Sequence, residues 1–238
     1  MSQSMALPLT SEKYLNADEL AALRAISSPT IANAVETFDV RPRDEGYTTM
    51  GVRCLFPERG ALLGYACTAL IMSSQVAAPK RLVNRTDYWE YTKAAPGPKI
   101  TVMQDVSESP AGAYFGEVNA NIHLALGSLG IITNGVVRDV PEVSRTGFQV
   151  FARDLAVSHA YAHLEDFNRP VTVFGLTVRP GDLVHADEHG AVVIPHEIAR
   201  EVAAASRAIE KAERVMIDLC QSSAFSIPEL DKLISPEY

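Results

Sequence analysis

The segment GEVNANIHLALGSLGIITNGVVRDV, residues 116–140, combines a helix pattern, a glycine turn and a strand pattern that ends on two opposite charges. Its apolar residues recur at helical spacing, at Val118, Ile122, Ala125 and Leu126. Gly127 and Gly130 end this helix, and residues 131–137 predict a strand. A helix followed by a strand is the basic unit of an α/β domain.

The two charges, Arg138 and Asp139, follow directly after the predicted strand. If the glycine turn reverses the chain, the strand runs back alongside the helix. Its carboxyl end then lies near the amino end of the helix. We therefore expect Arg138 and Asp139 to lie close to Gly116, Glu117 and Val118.

The residues at this predicted meeting point, where the strand end reaches the helix start, have the chemistry of a site for an anion and a metal ion. The first turn of a helix offers unpaired N–H groups and a partial positive charge, and Gly116 lets a ligand approach the backbone. Arg138 can hold a carboxylate through two parallel hydrogen bonds. Asp139 and Glu117 can hold a hard divalent cation such as Mg²⁺, which needs few carboxylates. In open α/β sheets, ligands bind at the carboxyl ends of strands.

The same residues also have purely structural interpretations. Asp139 can cap a short helix predicted for the following residues, VPEVSR. Glu117 can do no more than complement the helix dipole. The spacing alone does not decide between these interpretations and a functional site.

Two helices are predicted near the start of the chain. Asn16 is a suitable N-cap with Glu19 in the capping-box position. Ser28 is the predicted cap of the next helix, with Pro29 at its first position.

Further along the chain, strands are predicted at 51–55, 62–72 and 99–103, and hairpins lie between 170 and 195. Residues 80–95 are ambiguous, with a helix carrying Trp89 as one interpretation. A long helix from Pro195 has an apolar seam, which indicates packing on its own sheet or at a subunit interface. The seam contains Ile198, Val202, Ala205, Ile209, Ala212, Met216 and Leu219. The pattern predicts one α/β domain over residues 1–238.

Charge and composition exclude several partners. The chain has 21 basic and 29 acidic residues, so its net charge is −8. Nucleic acid is not an expected partner, because phosphate contacts need a basic face. The uncharged stretch at residues 60–79 is interrupted by polar residues and predicts a buried strand, not a membrane span. Three cysteines without C-x-x-C spacing predict neither disulfides nor zinc, as in a cytoplasmic protein.

Two motifs resemble a known family. GEVNANIHLALGSLGIITNGVVRDVPEVSRTGFQVFA and VRPGDLVHADEHGAVVIP are similar to the RraA-like family, over roughly residues 20–205. That family includes 4-hydroxy-4-methyl-2-oxoglutarate aldolases and the RraA inhibitor of ribonuclease E, and many members carry a mistaken methyltransferase label. The resemblance implies a β/β/α swivelling domain with a C-terminal helical extension at 196–238. It also implies homotrimers, sometimes paired into hexamers.

The resemblance also implies roles for the residues at the meeting point. Asp139 would bind Mg²⁺, Mn²⁺ or another divalent cation directly, and Arg138 would bind the substrate carboxylate and steady an enolate. Glu117 would hold metal-bound water. The amides of Gly116, Glu117, Val118 and Asn119 would cradle the carboxylate.

The implied activity is a metal-dependent pyruvate aldolase that cleaves 4-hydroxy-2-oxo acids through a metal-stabilised pyruvate enolate. Oxaloacetate decarboxylase activity is expected with it, and a small 2-oxo acid is the expected partner. The inhibitor branch lacks the acidic residue after the arginine, so Asp139 favours the enzymatic branch.

Three alternatives remain open at this level. The chain is either such an aldolase, a non-catalytic protein-binding regulator, or an enzyme on the same scaffold acting on another carboxylate. The segment at 80–98 is longer than the family leads us to expect and can reshape the pocket. The family also uses a glutamate from a neighbouring subunit, and the candidates are Glu197, Glu201, Glu210 and Glu213.

Two histidine clusters are weaker metal candidates. His159 and His163 stand four residues apart, but hydrogen-bonded or exposed histidines explain them better. His185, Asp187 and His189 share one side of a predicted strand, where Gly190 favours a turn role for Asp187.

Overall fold

The computed structural model describes residues 14–77 and 83–234. Helices alternate with strands over residues 62–152, as in an α/β domain, and residues 154–194 contain strands only. The helices are α1 (Ala17–Arg24), α2 (Ser28–Glu36), α3 (Arg85–Ala94), α4 (Glu117–Ala125), α5 (Val140–Ser144), α6 (Ala199–Cys220) and α7 (Ile227–Asp231).

The strands divide into a large sheet and two small ribbons. They are β1 (Arg53–Cys54), β2 (Leu62–Met72), β3 (Lys99–Asp105), β4 (Ser128–Thr133), β5 (Val136–Val137), β6 (Gln149–Ala152), β7 (Asp154–Leu155), β8 (His163–Phe167), β9 (Val171–Val173), β10 (Leu176–Val178), β11 (Leu183–Asp187) and β12 (Gly190–Ile194). The predicted strand at 62–72 and the predicted hairpins are therefore confirmed.

The large sheet has a parallel centre and antiparallel flanks. Its order is β1-β6-β4-β3-β2-β11-β12, and β8 pairs with the far end of β2. Strands β2, β3, β4 and β6 are parallel to their neighbours in this set. The predicted α/β class with a long C-terminal helix is confirmed. Because the carboxyl ends of parallel strands share one sheet edge, the chain segments after β3 and β4 emerge there together.

Apolar side chains form separate clusters against the sheet. One joins α1, α2 and the start of α6 around Leu23, Ile31 and Val202. Another joins α3, α4 and α5 to the sheet around Tyr88 and Phe148. The second cluster lies beneath the predicted functional site.

The first two helices begin as their caps dictate, with one correction. The Asn16 side chain accepts a hydrogen bond from the Glu19 amide, and the Glu19 carboxylate accepts one from the Asn16 amide, so the predicted capping box is confirmed. The prediction that Ser28 caps α2 is wrong, because Ser27 is the N-cap. The Ser28 amide instead donates a hydrogen bond to the Asp187 carboxylate at 2.8 Å.

The single strand predicted at 131–137 is interrupted in the structure. Asn134 donates to the Asp105 carbonyl and accepts from the Asp105 amide, at 2.9 and 2.7 Å. The Asn134 side chain thus makes the hydrogen bonds to β3 that the backbone of β4 would otherwise make, and β4 ends at Thr133. The chain resumes as β5 and delivers Arg138 on a separate path.

The ambiguous segment does contain a helix, since α3 begins after the Asn84 cap and carries Trp89. Residues 80–82 lie outside the described part. Lys99 is buried and donates to the carbonyls of Thr92 and Lys93, at 2.7 and 2.9 Å. It therefore satisfies the last turn of α3.

The long C-terminal helix starts four residues after the predicted Pro195, at Ala199. The first part of its seam is buried on α1 and α2, including Val202. From Ala205 onward the seam is only partly covered, and Ala212 is exposed. No helix in residues 14–77 and 83–234 is both long and apolar enough to cross a membrane.

Candidate functional site

The end of β5 meets the start of α4, as the spacing predicts. The Glu117 amide donates to Asp139 Oδ2 at 3.2 Å, and the Arg138 amide donates to the Phe115 carbonyl at 3.0 Å. Arg138 Nε lies 3.5 Å from Asp139 Oδ2. The predicted proximity of residues 20 positions apart is therefore confirmed.

Gly116 is buried directly beneath this contact. A Cβ at this position would collide with Asp139 Oδ2 and press on the Arg138 side chain. Its backbone is extended, with φ of −151°, so glycine is required here for space and not for an unusual dihedral. The absence of a side chain lets Asp139 reach the first amide of α4.

Asp139 has a left-handed backbone, with φ of 57° and ψ of 38°. A non-glycine residue in this region is strained by about 1–3 kcal/mol. Asp139 occupies the N-cap position of α5, but its side chain makes no capping hydrogen bond. The carboxylate faces the start of α4 instead, so helix capping does not explain it. Its Oδ1 has no hydrogen-bond donor among the described residues.

An open cleft of about 300 Å³ lies above this contact. Its lining combines six side chains that carry polar or charged groups with small apolar ones. The lining residues are Arg85, Ala113, Tyr114, Gly116, Val118, Asn119, Arg138, Asp139, His159 and Ala162. The side chains of Arg138 and Asp139 are 35% and 37% exposed, so both remain available to a ligand.

The structure brings the predicted site residues together at the cleft, except for the side chain of Glu117. Gly116, Val118, Asn119 and Arg138 line the cleft together with Asp139. The exposed Glu117 supplies its amide, while its carboxylate is not among the lining groups.

The part of the chain that holds this site matches a known protein family. The RraA-like family, described as aldolase/RraA, matches residues 29–193. The chain belongs to the RraA-like family.

A relative in Halalkalibacterium halodurans, provisionally named a 4-hydroxy-4-methyl-2-oxoglutarate aldolase, is 28% identical over 104 residues. The match covers 43% of this chain and 49% of the relative. The chain spans between 16% and 65% of the length of the curated relatives it matches.

Solved structures with the same fold cover more of the RraA-like chain. An uncharacterized protein from Pseudomonas syringae superposes with a TM-score of 0.70 and 23% identity, over 96% of this chain and 98% of that one. RraAS2 of Streptomyces coelicolor is described as an unusual member of the RNase ES inhibitor RraA family. It superposes with a TM-score of 0.66 and 22% identity, over 84% of this chain and 96% of that one. At these identities the likeness concerns the fold alone.

Arg85 and His159 are cleft residues of the RraA-like protein that sequence reasoning missed as site residues. Arg85 is the first residue of α3 and comes from the long 80–98 segment. His159 lies in the loop before β8, and its Nδ1 is bonded to the Ala160 carbonyl at 2.9 Å. The Asn84 cap signal places a helix start near Arg85, but nothing local indicates which surface it faces.

A buried histidine connects α3 with α4. His123 Nδ1 donates to the Asn119 carbonyl at 2.7 Å, so Nε2 accepts from the Tyr88 hydroxyl at 2.9 Å. Burial lowers the His123 pKa to about 4, because the interior disfavours the charged imidazole. The apolar spacing predicted that α4 buries the face that contains Val118. That prediction is wrong, because Val118 is 71% exposed and His123 is buried instead.

The other histidine clusters have structural roles. His163 lies on β8, not on a helix with His159, and its Nε2 is 2.6 Å from Glu165. Asp187, Glu188 and His189 lie close enough to share a metal ion. However, Asp187 accepts from the amides of Ser28 and His189, at 2.8 and 2.9 Å. Its Oδ1 therefore supports the β11–β12 turn, and its Oδ2 holds the start of α2.

A larger groove of about 670 Å³ runs past residues 44–49 and the end of β12. Two of its charged side chains, those of Arg41 and Asp182, are committed to neighbouring backbone. Arg41 donates to the Val193 carbonyl at 2.8 Å, and Asp182 accepts from the Arg179 amide at 2.7 Å. The smaller cleft is the better candidate, because it joins Arg138 and Asp139 to the first amide of α4.

Proposed function

We propose that this protein is a divalent-metal-dependent pyruvate aldolase that cleaves 4-hydroxy-2-oxo acids such as 4-hydroxy-4-methyl-2-oxoglutarate. We extend the proposal to decarboxylation of oxaloacetate. The observation that carries it is the contact of Asp139 and Arg138 with the first amide of α4. The provisional aldolase names of relatives support the same reaction class.

Asp139 is the proposed ligand of Mg²⁺ or Mn²⁺. Its Oδ1 is free of described donors, and a half-exposed carboxylate with room for water suits a hard cation that keeps several waters. His159 is the single histidine of the cleft lining, which contains no cysteine, so the lining lacks the several histidine or thiolate ligands of a zinc site. When bound, the cation would supply Lewis-acid polarisation of the 2-oxo acid.

Arg138 and the amides of α4 are the proposed carboxylate site. A guanidinium binds a carboxylate with two parallel hydrogen bonds, and the first helical amides lack partners within the helix. In this proposal Arg138 also stabilises the negative charge that develops on the 2-oxo oxygen as the C3–C4 bond breaks. A fixed positive group stabilises that charge without reorganisation.

The reaction also requires a proton transfer. As the C3–C4 bond breaks, the 4-hydroxyl loses its proton and becomes a carbonyl, and C3 later gains a proton. Glu117 is the proposed residue that orients a water for this transfer. Its exposed carboxylate, at the edge of the cleft, is accessible to solvent.

The test compares Asp139→Asn with wild type for pyruvate release from 4-hydroxy-4-methyl-2-oxoglutarate, 4-carboxy-4-hydroxy-2-oxoadipate and oxaloacetate, in Mg²⁺ and in EDTA. Asparagine tolerates a left-handed backbone, so the variant removes charge while keeping the conformation. We expect a loss of at least about 100-fold, the scale of one electrostatic catalytic group.

Asp154→Asn is the matched control, because Asp154 is an exposed carboxylate paired with Arg53 and does not line the cleft. It should keep wild-type turnover. Full activity of Asp139→Asn, or pyruvate release in EDTA equal to that in Mg²⁺, contradicts the metal assignment. No release from any of the three acids favours the protein-binding regulator.

A further inference from the structure

We infer that Arg85 binds the second carboxylate of the substrate, so that the cleft selects 2-oxo dicarboxylic acids over 2-oxo monocarboxylic acids. This inference rests on the proposed function, in which Arg138 and the α4 amides hold the first carboxylate. It assigns a role to the long 80–98 segment, which supplies Arg85 to the cleft.

The Arg85 guanidinium is available to an external anion. The side chain is exposed and lines the cleft together with Arg138. Within residues 14–77 and 83–234 it has no carboxylate partner. Two guanidinium groups therefore border a cleft that is lined by a single carboxylate, that of Asp139, although the whole chain carries a net charge of −8.

Arg85 is held at the cleft by the anchoring of its helix. Three residues later on α3, Tyr88 is fully buried and donates to His123 of α4 at 2.9 Å. Asn84 caps the first turn of α3, and Lys99 caps the last. Because α3 is fixed to the helix that begins the site, the position of Arg85 relative to the α4 amides is set by packing.

Helix stability does not account for an arginine at this position. Arg85 is the first residue of α3, where the helix dipole is positive and disfavours a cation by about 0.3–1 kcal/mol. An anion near Arg85 would be attracted by both the guanidinium and the helix end. The arrangement is therefore unfavourable in the free protein and favourable when a carboxylate is bound.

The size of the cleft fits a ligand longer than pyruvate. Its volume is about 300 Å³, which lies at the lower end of the range of about 300–1,000 Å³ that is usual for small-molecule sites, whereas pyruvate has only six heavy atoms. Ala113, Val118 and Ala162 add apolar side chains to the lining. A carbon chain with an acidic group at each end suits a cleft that offers two guanidinium groups and apolar side chains.

The experiment measures binding of two acids that differ only at the far end. 2-Oxoglutarate and 2-oxopentanoate share a five-carbon chain and the 2-oxo acid group, and neither has the 4-hydroxyl needed for cleavage. Titration calorimetry of the full chain with Mg²⁺ should give at least tenfold tighter binding of 2-oxoglutarate. Arg85→Gln should remove that preference and leave the affinity for 2-oxopentanoate within twofold.

Lys93→Gln is the matched control, since it removes a positive charge from the other end of α3 and does not line the cleft. It should keep the wild-type preference. If wild type binds both acids equally, or if Arg85→Gln weakens both alike, the role of Arg85 is overturned while the first carboxylate site stands. If wild type binds neither acid, the proposed function fails, and this inference fails with it.

Discussion

At the scale of single residues, the site depends on one missing side chain and one strained backbone. Gly116 leaves the space that the Asp139 carboxylate occupies. Asp139 keeps a left-handed conformation that turns its side chain from α5 toward α4. Strain of this kind persists where surrounding contacts hold it, as is common at functional sites.

Gly116→Ala should therefore weaken metal binding at Asp139. The added methyl group must displace the carboxylate, because the two would otherwise collide. We expect at least a tenfold rise in the Kd for Mn²⁺, measured by electron paramagnetic resonance. A thermal melt serves as the control for folding, and unchanged Mn²⁺ affinity in a folded variant would contradict the assignment.

At the scale of secondary-structure elements, the buried face of α4 connects the site to the core. His123 is neutral in the folded protein and bonds to both Tyr88 of α3 and the Asn119 carbonyl of its own helix. His185 is also buried, and burial lowers its pKa to about 4. Both histidines therefore couple folding to pH.

Stability should fall as the pH drops from about 6.5 to about 4. The unfolded chain takes up protons at the ordinary histidine pKa of about 6.5, while His123 and His185 stay neutral in the fold down to about 4. Between these values the unfolded state binds more protons and is favoured, by up to about 1.4 kcal/mol per pH unit for each histidine. Chemical denaturation at pH 7.5, 6 and 5 measures this slope.

His123→Asn should flatten the pH slope, because its amide keeps a donor for the Asn119 carbonyl but cannot take up a proton. His159→Asn is the control, since His159 is exposed, and it should retain the wild-type slope. A His123→Asn slope equal to wild type would show that this histidine is not the coupled group.

At the scale of the whole molecule, the C-terminal helices leave apolar surface uncovered. The first turns of α6 pack against α1 and α2. Farther along the chain, Val215 is 50% exposed and Ile227 of α7 is 77% exposed. Together with the partly covered seam of α6, this surface supports the prediction of a homo-oligomer, because such apolar surface is usually buried in contacts.

Light scattering after size exclusion should give three or six times the chain mass of 25.8 kDa. Val215→Glu places a charge in this apolar surface and should shift the population toward monomer. Arg207→Gln, on the exposed side of the same helix, should leave the mass unchanged. A wild-type monomer at micromolar concentration would contradict the prediction.

Much of the site was predictable because its signals are local. The apolar spacing and the glycine turn of 116–140 predicted a strand that runs back alongside the helix. This reversal of chain direction is enough to bring Arg138 and Asp139 to the start of α4. The capping box at Asn16 and the strand at 62–72 likewise follow from neighbouring residues.

The sequence by itself determined many of the helices and strands, the family motif and the return of the charged pair, because each depends on residues near one another in the chain. Only the tertiary structure decided that Asn134 interrupts the strand through Asp105, that α4 buries His123, and that Arg85 lines the cleft. Each of these depends on contacts between segments far apart in sequence. Packing and burial across those segments, and not local propensity, select them.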